Sequence, residues 1–388
     1  MLEVCLIGAG GVGTIAAYVL EKSQQARVTA VLRSNYAVVR EQGFDIDSVD
    51  HGDVRGWKPW NIVPSLSAAI PKPATSTTTT SQDQGHVQGY DFVVITTKAL
   101  PDLIASLIPD LNPLVTPGKT SLVLIQNGLD IEAPLAAAFP DTPILSGISM
   151  IGSRLTSPRS IFHEDPDLLK LGAYFHHQDD STNNIHNNKN HSTSSSQPEP
   201  QSSSSSSSSS SSLLSRETQL ASARRFVDLY NAGLGDAHAK TGAECVLVHD
   251  VVAARWRKLL WNASFNTLCT LLRISVGELQ SSPGRAALLE PAMREIAAVA
   301  TAAGFGETVS DEIVAAMLDE TPASSPFRPS MLVDLEKGRP FELDVILGAP
   351  LRVASEYNVP TPVLTQVYEL LRVVQWTLQQ NQKKIQER

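Results

Sequence analysis

Lys258, Asn262 and Asn266 recur at every fourth position of the segment 255–266, which otherwise carries Trp, Leu and Phe. On an α-helix that spacing lays all three along one stripe about 12 Å long. An ammonium and two carboxamides among bulky apolar neighbours are awkward unless their face meets a polar ligand or water. A desolvated lysine shifts its pKa readily, which makes it a usable proton donor near neutrality. The competing reading is a solvated helix face. Further along, Ser330 follows Pro329 at a plausible helix start, and Glu342 and Asp344 share one parity between Gly338 and Gly348. A carboxylate facing Lys258 would orient it and keep it charged, although a surface ion pair explains these acids equally well.

A second group of residues points to a different chemistry. Gly8, Ala9, Gly10, Gly11, Val12 and Gly13 match G-x-G-x-x-G, directly after a strand-like run and at the opening of a helix-like segment. That context gives the pattern its meaning. Gly8 allows the tight turn, Gly10 the approach of backbone to a pyrophosphate, and Gly13 the packing of helix on strand. The helix N-terminus then offers free N–H groups and a partial positive charge to the phosphates. The next strand ends at Arg33-Ser34. A site for NAD usually places Asp or Glu there, whereas arginine suits the 2′-phosphate of NADP, with a solvent-facing loop arginine as the alternative. Two more strand ends stop at polar residues, Thr97-Lys98-Ala99 and Gln126-Asn127-Gly128. Lys98 is placed to reach a ribose phosphate or a substrate carboxylate, and Asn127 to bridge cofactor and substrate; ordinary loop polarity accounts for either one taken alone.

The elements that must position these residues follow from the apolar pattern. Runs at Val4–Ile7, Val28–Leu32, Phe92–Thr96, Leu122–Gln126 and Ile144–Ser149 are nearly continuous in Val, Ile and Leu. Such runs suit parallel strands covered on both faces, and helical segments such as Val12–Lys22 lie between some of them. The expected fold is therefore α/β, an N-terminal Rossmann-type parallel sheet domain followed by a mostly α-helical C-terminal domain. The division is set at residues 1–243 and 244–388. Two polar insertions interrupt the first part. Residues 71–88 are rich in Pro, Thr, Gln and Gly, and residues 178–215 contain the eleven serines Ser202–Ser212. The second cannot bury enough apolar area to offset its ordering entropy, so it is expected to be disordered. From Thr218 onward helical spacing dominates, ending in a helix from about Pro362 to Glu387.

Composition narrows the class further. A net charge of −9 argues against a nucleic-acid surface. Cys5, Cys245 and Cys269 each sit in an apolar run without paired spacing, which reads as buried thiols in a reducing compartment. No signal-like leader and no apolar stretch of about 20 residues is present, so a cytoplasmic protein without a membrane partner is expected. No metal site is expected either. Nothing in the sequence fixes the oligomeric state, and a homodimer is compatible with it.

Together these residues resemble the ketopantoate reductase (2-dehydropantoate 2-reductase) family. The likeness runs in order through Gly8–Gly13, Arg33, Thr97-Lys98-Ala99, Gln126-Asn127-Gly128, the Lys258/Asn262/Asn266 row, Ser330-Met331 and Glu342-Leu343-Asp344. It covers nearly the whole chain apart from the two insertions. The resemblance implies NADPH as cofactor and hydride delivery to the C2 carbonyl of a branched 2-oxo acid, the small-molecule partner. In the family the product is pantoate, on the route to pantothenate and coenzyme A. It further implies Lys258 as general acid with Glu342 as its working carboxylate. Asn127, Asn262, Asn266 and Ser330 become substrate-binding positions, and Lys98 a cofactor or substrate contact. One departure stands out: where family members often carry a polar residue three positions before the serine, this chain has Phe327. A reductase of a different branched 2-oxo acid, or a non-catalytic NADPH-binding regulator, are the alternatives.

Overall fold

The structure, a computed structural model, describes residues 1–71, 89–175 and 214–386. Most of both expected insertions, including the serine run, lies outside the described residues. The strands are β1 (Leu2–Ile7), β2 (Ala26–Val31), β3 (Phe44–Ser48), β4 (Gly52–Trp57), β5 (Asn61–Val63) and β6 (Phe92–Ile95). They continue with β7 (Ser121–Ile125), β8 (Ile144–Ser149), β9 (Gly152–Leu155), β10 (Ser160–Asp165), β11 (Leu168–Ala173) and β12 (Glu244–Leu247). The first helices are α1 (Gly11–Lys22), α2 (Tyr36–Gln42), α3 (Pro101–Leu111), α4 (Ala133–Ala138), α5 (Arg216–Leu234) and α6 (Ala237–Thr241). The remaining eight are α7 (Val251–Trp261), α8 (Thr267–Leu272), α9 (Val276–Ser281), α10 (Glu290–Ala300), α11 (Asp311–Glu320), α12 (Ser330–Glu336), α13 (Ala349–Glu356) and α14 (Pro362–Gln386).

The main sheet has the order β12-β11-β8-β7-β6-β1-β2-β5. Its neighbours pair parallel except β11 with β8. All five expected strands lie in it, and their burial on both faces explains why they read as unbroken apolar runs. β12 pairs with β11 from Glu244 to Leu247, so the sheet runs past the expected division at 243 and the helical part begins with α7. Behind the sheet, α5 packs on α1 so closely that a side chain on Gly233 would meet the backbone of Val19. Phe226 of α5 stands edge-on to Phe92 of β6, with centroids 5.2 Å apart, fastening that helix to the sheet. Ser215, the last residue of the expected insertion, caps α5 by accepting from the Thr218 N–H.

A second sheet, β4-β3-β10-β9, has no counterpart in the sequence reading. Its strands lack unbroken apolar runs, and β3 and β10 pair although more than a hundred residues separate them. A buried polar seam holds it in place: Asp50 accepts from the Asp167 N–H at 2.9 Å and lies 3.5 Å from the His163 ring, and the Tyr230 hydroxyl donates to Asp167 at 2.6 Å. Burial lifts the Asp167 carboxyl to about 6, against the pull of the Tyr230 hydrogen bond.

Cys5, Cys245 and Cys269 are all buried thiols. Among the described residues no helix is long and apolar enough to cross a membrane, and no group of three His, Cys, Asp or Glu side chains is arranged to hold a metal.

Candidate active site

The central strands β8, β7, β6 and β1 are neighbours, so the loops at their C-terminal ends lie side by side. In open α/β sheets this edge is where ligands bind. The turn after β1 contains Gly8 at φ +103, and a side chain there would strike Thr97. Gly13 packs against the Gly8 carbonyl and Thr96, leaving no space for a Cβ. Gly10 has nothing within 4 Å of where its Cβ would lie, so its backbone is open to an approaching group. Gly11 behaves differently: a Cβ there would meet the Ser153 backbone of β9 at 2.5 Å. Gly8, Ala9 and Gly10 line a cavity of about 990 Å³, whereas Gly11, Val12 and Gly13 face the surrounding packing. Arg33 and Ser34, both exposed, line the same cavity with Thr97.

Lys258, on α7, reaches across to the sheet edge. Its ammonium donates to Asn127 Oδ1 at 2.8 Å and to the Ser149 carbonyl at 2.6 Å. Loss of hydration, with a smaller push from nearby Arg255, lowers its pKa to about 8 against the opposing pull of Glu342. An ammonium has three donors, so two fixed acceptors leave one for a further oxygen.

Glu342 is buried and does not touch Lys258. It accepts from the Asn127 side chain at 3.2 Å and from the Ala99 N–H at 2.9 Å, and pairs with Lys98 at 3.4 Å. Asn127 thus bridges lysine and glutamate. Lys98 makes a second, shorter ion pair with Asp334 of α12, 2.6 Å long. Desolvation opposes its charge, but Glu342 and Asp334 outweigh that and raise its pKa. The sequence reading aimed Lys98 at a phosphate or a substrate; here it is held by two carboxylates of the helical part.

The expected α-helical row also changes shape. Asn262–Asn266 is a π-turn inserted between α7 and α8. Such wide turns within α-helices frequently mark functional sites. Asn266 accepts from the Met331 N–H at 3.1 Å and donates to Ser330 Oγ at 3.4 Å, which ties it to the start of α12. Asn262 is buried, and among the described residues its side chain has no hydrogen-bond partner. Phe327 stands near Ser330 with its ring 6.0 Å from that of Trp261.

Arg255 was missed. It is buried at the meeting of the two parts, ion-paired to Glu132, and it donates to Ser146 Oγ at 2.9 Å and to the Gln126 and Gly128 carbonyls at 3.0 and 2.9 Å. The available signal was its position three residues before Lys258, on the same helix face. Gly128, at φ +104, lets Val345 of the helical part come against it, and the Leu129 N–H donates to the Val345 carbonyl at 2.8 Å.

A glycine turn on a parallel sheet, with a lysine of a helical second part bonded to the ends of neighbouring strands, is the two-part arrangement of dinucleotide-dependent reductases. The ketopantoate reductase PanE/ApbA family matches residues 4–175, and its C-terminal family matches residues 250–375. This chain belongs to the ketopantoate reductase family and is, with it, an oxidoreductase. An uncharacterized Saccharomyces cerevisiae protein is 31% identical, with 98% of this chain and 95% of its own length covered. The 2-dehydropantoate 2-reductase of a Nostoc species is 26% identical over 93% of this chain and 92% of its own. The crystal structure of 2-dehydropantoate 2-reductase from Methylococcus capsulatus superposes with a TM-score of 0.70 at 27% identity, covering 97% of this chain and 98% of that one.

Proposed function

We propose that this chain reduces a branched 2-oxo acid with NADPH, and that 2-dehydropantoate is the substrate, giving pantoate. The observation that carries the reading is the hydrogen-bonded path from Lys258 through Asn127 and Glu342 to Ala99, two residues beyond Thr97 of the glycine-lined cavity. A dinucleotide fits that cavity: Gly10 is open to it, α1 presents its N-terminus, and Arg33 stands at the end of β2. The cofactor supplies hydride when bound. The chain's own residues do the rest. Lys258 directs its remaining N–H at the carbonyl oxygen, stabilises the negative charge growing there and transfers its proton. Asn127 and Ser149 fix the direction of the ammonium, while Glu342 holds Asn127 in place. Asn262, Asn266 and Ser330 offer hydrogen bonds to the rest of the substrate.

Replacing Lys258 with alanine is expected to lower kcat by about 10² or more, the usual scale for losing a general acid. Near-normal turnover would remove the lysine from the mechanism. The Phe327–Trp261 pair supports a second reading, a more apolar 2-oxo acid. Following NADPH oxidation with a panel of 2-oxo acids decides between them. Efficiency highest with 2-dehydropantoate supports the first; preference for acids lacking its hydroxyl supports the second.

A further inference from the structure

The cavity beside the glycine turn is lined from both parts of the chain. Arg33 comes from the sheet part, at the end of β2, and Lys337 and Arg339 come from the turn that follows α12. All three side chains are exposed, and among the described residues none has a hydrogen bond or ion pair. Some arginines find carboxylates, as Arg255 does with Glu132, Arg294 with Glu290 and Asp311, and Arg352 with Asp344, whereas Arg27 and Arg40 lie over aromatic rings instead. The lining contains one carboxylate, Asp110, so the three cations prevail on the surface of a chain with net charge −9. Like charges lining one cavity repel one another, and the same field favours a multivalent anion; the Asp334 carboxylate that Arg339 acts on is already paired with Lys98.

The turn bearing the two cations is held at several points. Lys337 N–H donates to Val333 O at 3.1 Å, Gly338 N–H to Leu335 O at 3.0 Å, and Arg339 N–H to Asp334 O at 2.8 Å. Gly338 takes φ +65, and its carbonyl accepts from Gln382 of α14. Asp334, one turn back on α12, is the residue paired with Lys98 of the sheet edge. Lys337 and Arg339 therefore project from a backbone tied to α14 and, through Asp334, to Lys98 of the sheet part.

We propose that Lys337 and Arg339 join Arg33 in a clamp for the 2′-phosphate of the cofactor, so that preference for NADPH is set partly by the helical part. This rests on the NADPH reading above. The glycine turn serves the pyrophosphate, which both nicotinamide cofactors share; Arg33 at the end of β2, with the two cations of the α12 turn lining the same cavity, serves the group that only one of them carries.

The test is isothermal titration of the full chain with NADPH and with NADH, for wild type and for a Lys337→Ala/Arg339→Ala double variant. The double variant is expected to bind NADPH at least about tenfold more weakly and NADH within about twofold of wild type. Its NADPH affinity should also fall less steeply with added salt. Melting of the cofactor-free proteins, which should coincide, shows that the fold is intact. Equal losses for both cofactors, or no loss for either, overturn the clamp while leaving the NADPH reading in place. A wild-type chain that binds NADH as tightly as NADPH overturns that reading and the clamp with it.

Discussion

At the scale of single residues, the chemistry turns on how one half-buried amine is kept charged. Lys258 titrates at about 8 because desolvation works against its charge and Glu342 works for it. Reduction needs the protonated amine, so kcat/KM should be level near neutrality and fall as pH rises through about 8. A flat profile from pH 6 to 10 would mean that another group donates the proton. Glu342 acts on the lysine through Asn127 and not by contact, so it is a positioning residue. Glu342→Gln removes a negative charge and keeps the shape. The fall in rate should therefore move to lower pH, together with weaker substrate binding. An unshifted pH profile would reduce Glu342 to a structural role.

At the scale of elements, neighbouring glycines of one turn answer to different demands. Gly10 opens on the cavity, and Gly11 is pressed against β9. Gly10→Ala should leave the melting temperature of the cofactor-free chain nearly unchanged and weaken dinucleotide binding. Gly11→Ala forces a methyl into the Ser153 backbone and should destabilise the fold by about 1–3 kcal/mol, the range for overpacking. Thermal melts and titrations on both variants would show the two effects separately; identical behaviour would refute the division. The motif gives roles to Gly8, Gly10 and Gly13 but none to Gly11, because G-x-G-x-x-G says nothing about a second sheet that meets α1. That sheet was hidden for a related reason: β9 and β10 carry few consecutive apolar residues, and β3, the parallel partner of β10, lies far away in sequence.

At the scale of the whole molecule, the reaction centre exists only if two parts keep their relative position. Arg255 holds them, sending its guanidinium to the loop after β7 and to β8 itself, while Lys258, three residues on, takes acceptors from that same loop and from the last residue of β8. Arg255→Ala strands Glu132 in the interior and should cost about 3–5 kcal/mol in urea denaturation, as expected when one partner of a buried ion pair is removed. It should also lower turnover more than it lowers NADPH affinity, since the lysine loses its anchor and the glycine turn does not. Loss of cofactor binding alone would place Arg255 outside the catalytic frame.

Local pattern was enough to determine the parallel strands, the glycine turn and the place of Arg33 at the end of β2. Each of these depends on neighbours within a few residues, where side-chain periodicity and backbone chemistry act directly. Only the tertiary structure decided that Asn127 stands between Lys258 and Glu342, that Lys98 answers to Asp334, that 262–266 is a π-turn, and that Arg255 joins the parts. Those contacts link residues as much as two hundred and forty positions apart. Their partners are chosen by how the helical part docks on the sheet, and no local periodicity encodes that choice.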